Sequence, residues 1–87
     1  MTDAERLWLV ERTYTDRDLV VLVYATPDGT RCRRKELSST MLGRTTVTAA
    51  VDADTGTLEP VDDEETRERY AAEVERVRAD HDPDDPI

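Results

Sequence analysis

The chain has no phenylalanine, one cysteine, one histidine, one lysine and, at its last position, one isoleucine. A lone Cys32 cannot close an internal disulfide, and it rules out a zinc site built from several thiolates. Long apolar runs are missing as well. The longest, Leu19 to Ala25, is seven residues, against about 20 for a transmembrane helix. The opening Met1-Thr-Asp-Ala-Glu-Arg6 lacks a basic region followed by an apolar stretch, so no signal peptide is expected. These absences point to a reduced, cytoplasmic protein with no membrane span. Eighty-seven residues leave room for one hydrophobic core and no second.

What the chain does carry is charge, mostly of one sign. It has 21 acids against 12 bases, a net charge of −9. Eleven of the bases are Arg, and apolar bulk comes from nine Val, seven Leu and eight Ala. Two causes fit this bias. A GC-rich genome favours Arg, Ala, Val and Asp codons. A molar-salt cytoplasm favours a dense carboxylate surface, because at 1 M the Debye length is about 3 Å and self-repulsion hardly reaches a neighbour. The second reading, a halophilic protein, is preferred over a mesophilic acidic one. The charge is also uneven. Residues 31–50 hold five bases and one acid, whereas residues 51–87 hold fourteen acids and four bases.

Periodicity gives the elements. Residues 7–14 alternate, with Trp8, Val10 and Tyr14 on one side and Leu7, Leu9, Glu11 and Thr13 on the other. Thr15 to Asp18 is a polar turn. Leu19 to Ala25 is apolar on both faces, as in a strand buried on both sides. Thr26-Pro-Asp-Gly-Thr30 supplies Pro to fix φ and Gly for positive φ, a strong hairpin signal. A polar strand is expected over Arg31–Leu37, a loop over Ser38–Gly43, a β-branched strand over Thr45–Asp52, a turn at Asp54–Thr57 and a short extended piece ending at Pro60. A helix follows, opened by a capping box of Asp62 and Glu65, with Tyr70, Val74 and Val77 as one apolar stripe. Glu65–Arg69 and Arg76–Asp80 are opposite charges four residues apart on it. The fold class is therefore α+β. It is an antiparallel meander of four strands, or five if the piece before Pro60 pairs, with one C-terminal helix packed on one face. Residues 1–79 make the domain. Residues 80–87, rich in Asp and Pro, are expected as a flexible, solvated acidic tail.

Centring the first hairpin on Asp16-Arg17 pairs Trp8 with Ala25, Val10 with Val23 and Tyr14 with Leu19. Those residues and Val21 would form the face that seats the helix. Leu7, Leu9, Val20, Leu22 and Tyr24 fall on the opposite face. One helix cannot cover both, so these five are the expected protein interface, with a second copy or another protein as partner.

Four stretches carry a resemblance: Trp8-Leu-Val-Glu-Arg-Thr-Tyr14, Tyr24-Ala-Thr-Pro-Asp-Gly29, Ala49-Ala-Val-Asp-Ala-Asp54 and Arg67-Glu-Arg-Tyr-Ala-Ala-Glu73. Through them the chain resembles a group of short acidic haloarchaeal proteins of unknown function, along most of its length. The resemblance implies a cytoplasmic halophilic protein and no activity.

Chemistry-bearing residues were weighed in turn. Cys32 lies among Arg31, Arg33, Arg34 and Lys35, whose charges would lower a thiol pKa, but the sole histidine, His81, is far along the chain. His81 stands among Asp80, Asp82, Asp84 and Asp85 without the fixed spacing of a metal site. Asp52-Ala-Asp-Thr-Gly56 resembles the start of a calcium loop, with the glycine one position early. It reads better as an Asp-rich turn. The hydroxyls of Ser38, Ser39, Thr40, Thr45, Thr46 and Thr48 lack a histidine or a glycine-rich loop beside them. No catalytic residue, cofactor or metal is expected. The feature that stands out is Arg31, Arg33, Arg34 and Lys35 with Arg44, a basic strand in an acidic chain. It could contact phosphates, or guard a sheet edge, or pair with the chain's own acids. The function expected is a non-catalytic protein-interaction or self-associating module. The alternative is a nucleic-acid or ribonucleoprotein accessory using residues 31–35.

Overall fold

The computed structural model describes residues 3–15, 18–38, 40 and 46–87. Within them the chain forms β1 (Ala4–Tyr14), β2 (Leu19–Ala25), β3 (Arg31–Ser38), β4 (Ala50–Asp54), a 3-10 turn (Thr55–Thr57), β5 (Glu59–Pro60) and a helix, α1 (Glu64–Asp80). The strands make one antiparallel sheet in the order β4-β1-β2-β3-β5. The helix packs on one face of it. The expected α+β fold is therefore present, with the fifth strand paired. Asp16, Arg17, Ser39 and residues 41–45 lie outside the described residues, and with them the centre of the first turn, most of the 38–43 loop and the start of the expected fourth strand.

The first hairpin holds its expected register only at its open end. Trp8 faces Ala25 and Leu9 faces Tyr24, but beyond Val10 the partners are Glu11 with Val23 and Tyr14 with Val20. Val10 is the extra residue of a β-bulge, and one extra residue shifts every later side chain to the other face. Tyr14 therefore does not share the helix face with Trp8. It lies with Val20 on the second face, 65% exposed.

The second hairpin is fixed by its turn. The carboxylate of Asp28 accepts from the Thr26 hydroxyl at 2.6 Å, the Thr30 N–H at 3.0 Å and the Thr30 hydroxyl at 2.8 Å. Those bonds, led by that from Thr26, hold the Asp28 carboxyl at about 2, below its ordinary 3.8. Gly29 sits at φ 74°, where a side chain is strained, and an added Cβ would run into the Arg67 carbonyl of α1. This glycine is required twice, by its dihedral and by the close approach of the helix.

The helix starts one residue later than the capping box predicts. Asp63, not Asp62, is the N-cap, and its carboxylate takes both the Thr66 N–H (2.9 Å) and the Thr66 hydroxyl (2.7 Å). Only Asp62 has a Glu three residues on, as the capping box asks. Thr66 decides for Asp63, because it offers two donors to the same carboxylate. Tyr70, Val74 and Val77 are the buried residues of α1, as expected, and meet Trp8, Val23, Ala25, Ala50 and Val61. Burying a valine side chain is worth about 1.5–3 kcal/mol, so this stripe holds the helix to the sheet. The helix ion pairs are Arg76–Glu73 and Arg78–Glu75, three residues apart, rather than the two pairs expected at a spacing of four.

The last residues correct the expectation of a purely solvated tail. Ala49 N–H donates to Asp85 O (2.9 Å), Ala50 N–H to Pro83 O (3.0 Å) and Ile87 N–H to Val47 O (2.8 Å). Proline lacks a donor but keeps its acceptor. A proline-rich segment can thus still satisfy another segment's N–H groups. The first two bonds take up the amides just before and at the start of β4, and the third uses the Val47 carbonyl.

Candidate functional site

The five residues expected as an interface do gather on the face opposite the helix, joined by Leu37, Val47 and Ala53. They are already out of water within the single chain: Leu7 is 0% exposed, Leu9 6%, Val20 1%, Leu22 1% and Tyr24 4%. The face is a second core. The expectation that it stands open to a partner is corrected, because burial of this size leaves no apolar patch to dock on. Burial also pushes the Tyr24 phenol above its ordinary pKa, against the lowering effect of Arg12. A buried Tyr24 cannot offer a platform for stacked bases.

The basic strand is where the sheet is unfinished. β5 pairs with β3 only at Arg31 and Cys32, opposite Pro60 and Glu59. The chain just before Glu59 ends this pairing: Leu58 and Thr57, which the antiparallel register would set opposite Arg33 and Arg34, are the cap and last residue of the 3-10 turn. At the other end the ladder runs on to Thr30, whose carbonyl accepts from Val61 N–H at 2.8 Å. From Arg33 to Leu37, β3 is paired with β2 on one side and has no strand partner on the other among the described residues. That open edge is about 17 Å long at the usual rise of a strand.

Register sets where its side chains point. Arg33 and Lys35 lie opposite Tyr24 and Leu22, and so border the second core. Arg34 and Glu36 lie opposite Val23 and Val21, on the helix side. All four are exposed. Arg31 is committed: its guanidinium bonds Glu5 at 2.6 Å. No ion pair engages Arg33, Arg34 or Lys35 among the described residues. Pairing of this strand with the acidic 51–87 segment, one of the three alternatives, is not seen among the described residues. Arg44 is outside the described residues.

The remaining candidates resolve as structural parts. The Cys32 thiol, half-buried against the helix-side core, is pushed above its ordinary pKa by burial and by Glu59, with Arg34 acting the other way. Burial and Glu59 thus oppose the activated thiolate that neighbouring cations would favour. Asp54 caps the 3-10 turn by accepting from Gly56 N–H at 3.0 Å, and Asp52 bonds Arg6 at 3.3 Å, so the calcium-like stretch is a capped turn. His81 closes the C-terminus of α1 through its N–H to Val77 O, and its ring lies 4.0 Å from Asp85. No group of three or more His, Cys, Asp or Glu among the described residues is arranged to hold a metal ion.

Sequence reasoning missed a cleft of about 240 Å³ between the β1 bulge and the end of α1. Leu9, Val10 and Val77 are its apolar lining, and its cations are occupied. Arg76 grips Glu73 with two bonds, and Arg12 donates to Ile87 O at 2.7 Å. The cleft is also smaller than the 300 Å³ or so at which ligand pockets usually begin. A bulge placed beside it was the signal, visible only in the register.

Among the described residues the fold and surface thus define a small α+β protein: an antiparallel sheet with a core on each face, a helix packed on one of them, and a basic edge left unpaired. The chain belongs to the family described as "Family of unknown function (DUF7967)", whose profile matches residues 1–87. This agrees with the expectation of an uncharacterised family. No curated protein and no solved structure matches the chain. No helix among the described residues is long and apolar enough to cross a membrane.

Proposed function

We propose that this protein is a non-catalytic interaction module that binds another protein along the outer edge of β3. One observation carries the reading: Arg33–Leu37 has no strand partner among the described residues, and the three bases there have no ion partner. An unpaired strand edge presents a row of N–H and C=O groups ready to accept another strand. Most proteins hide such edges. The second core being closed, this edge is the unpaired feature of the surface that also carries unpartnered bases among the described residues. Self-association through it is disfavoured, because two copies of β3 side by side would bring like charges together.

The test is a photo-crosslinking residue in place of Arg34, in living cells, with the same residue in place of Glu68 on the exposed side of α1 as control. Protein adducts from the strand position and none from the helix position support the reading. Nucleic-acid adducts at the strand would replace it with the phosphate-binding alternative.

The same proposal sets the protein in a reducing cytoplasm of concentrated salt, supported by the net charge of −9 and the Arg-for-Lys usage. Unfolding in 50 mM salt should then be markedly easier than in 2 M KCl, since the fourteen acids of residues 51–87 repel when unscreened. Equal stability in both would remove this part of the proposal.

A further inference from the structure

Resting on the edge-binding reading above, we infer that the segment received by β3 is an extended, acidic stretch of a different protein, added as a sixth strand beside Arg33–Leu37. The length of the open edge, about 17 Å, admits a segment of five or six residues. Charge selects its composition. On the second-core side the incoming strand meets Arg33 and Lys35, two residues apart and therefore aligned along one face. On the helix side it meets Arg34 and then Glu36. Carboxylates at alternate positions would face Arg33 and Lys35 across the new ladder, and opposite charges directly across a strand pair are favourable where like charges are not. At low ionic strength the rest of the molecule, being acidic, also repels such a segment and so steers it to this edge.

A second copy of this chain is a poor donor of that strand. Of its edge strands, β3 sets its single acid, Glu36, among bases, β5 offers only Glu59 in two residues already paired with β3, and both β4 acids are committed: Asp52 to Arg6, and Asp54 to the Gly56 N–H. The two acids also lie on the same side of the sheet as Trp8, whereas Arg33 and Lys35 lie on the other. With β4 antiparallel to β3, a continuous sheet across two copies would set them on opposite faces.

The experiment uses the full chain and four probes in 0.1 M salt: a seven-residue peptide alternating Thr with Glu, its Gln counterpart, the Glu peptide with alternate backbone nitrogens methylated, and poly-uridylate. The Glu peptide should bind at least about tenfold more tightly than the Gln peptide and perturb the amide signals of Arg33–Leu37. The methylated peptide keeps its charge but cannot pair as a strand, so it should lose about tenfold or more. Arg33→Glu with Lys35→Glu, a double surface change that leaves both cores intact, should reverse the preference toward a Lys-for-Glu peptide. Equal binding of Glu and Gln peptides, with β3 amides perturbed, would overturn the acidic selection while leaving the edge as a binding site. Binding that survives methylation would overturn strand addition. No peptide bound at β3 would overturn both proposals and leave the bases as a guard against misassembly. Binding of poly-uridylate alone would transfer the site to nucleic acid, and concentration-dependent dimers lost in the double variant would transfer it to a second copy.

Discussion

The sheet ends in two edges, and they are finished differently. At β4 the final residues of the chain take up the N–H groups of Ala49 and Ala50, and Asp52 is tied to Arg6. At β3 the closing segment is two residues long and starts only at Glu59, so Arg33–Leu37, which lie beyond Glu59 in the antiparallel register, have no strand opposite them among the described residues. The chain that would continue the ladder there, Thr55–Leu58, is a 3-10 turn and its cap. The lesson is that the open edge is set by a turn just before the closing strand, and not by a shortage of chain.

The largest way to break this contrast is at the closed end of β3. Gly29→Val should destabilise the fold by about 3 kcal/mol or more, through positive φ and the collision with Arg67. Denaturant unfolding measures it, and a variant within 0.5 kcal/mol of wild type would show that the helix is not seated on this turn. Closing of the β4 edge is tested next by removing residues 83–87. Losing three backbone bonds should cost about 2 kcal/mol, and the Ala49 and Ala50 amides should exchange freely in the shortened chain.

A smaller effect comes from Asp28, which ties the β2–β3 turn. Its folded pKa of about 2 lies below the ordinary 3.8. The group therefore stabilises the fold in full above about pH 4, and that contribution is lost as pH falls toward 2. Since the carboxylate is exposed, solvent screening reduces the effect to about 1 kcal/mol. Stability curves of the wild type and Asp28→Asn should differ above pH 4 and converge near pH 2. The smallest change is expected at the open edge. Arg33→Glu with Lys35→Glu should alter stability by less than about 0.5 kcal/mol, because neither base has an ion partner to lose. A larger loss would mean that the edge is already engaged.

Much of this architecture was legible in local patterns. The apolar run Leu19–Ala25 is β2 end to end, the Tyr70–Val74–Val77 stripe is the buried side of α1, and alternation sorted Leu7, Leu9, Val20, Leu22 and Tyr24 onto one face. What local pattern could not show was anything that depends on a distant partner. The bulge at Val10 is invisible in a stretch where Leu7 to Val10 are all apolar, so the phase of Tyr14 was misread. The choice between Asp62 and Asp63 turned on the Thr66 hydroxyl. The second face looked like an interface because its cover does not follow from its own residues. The basic strand is visible in the sequence. That it forms an edge follows only from the order β4-β1-β2-β3-β5, which two residues, Glu59 and Pro60, decide.

The most direct measurement is residue-by-residue amide hydrogen exchange along β3, in the free chain and with the Thr-Glu peptide present. In the free chain, Arg31 and Cys32, held between β2 and β5, should be protected, while those amides of Arg33–Leu37 that point away from β2 exchange quickly. With the peptide, that fast set should slow. Uniform protection of β3 in the free chain, or fast exchange unchanged by the peptide, would contradict the account.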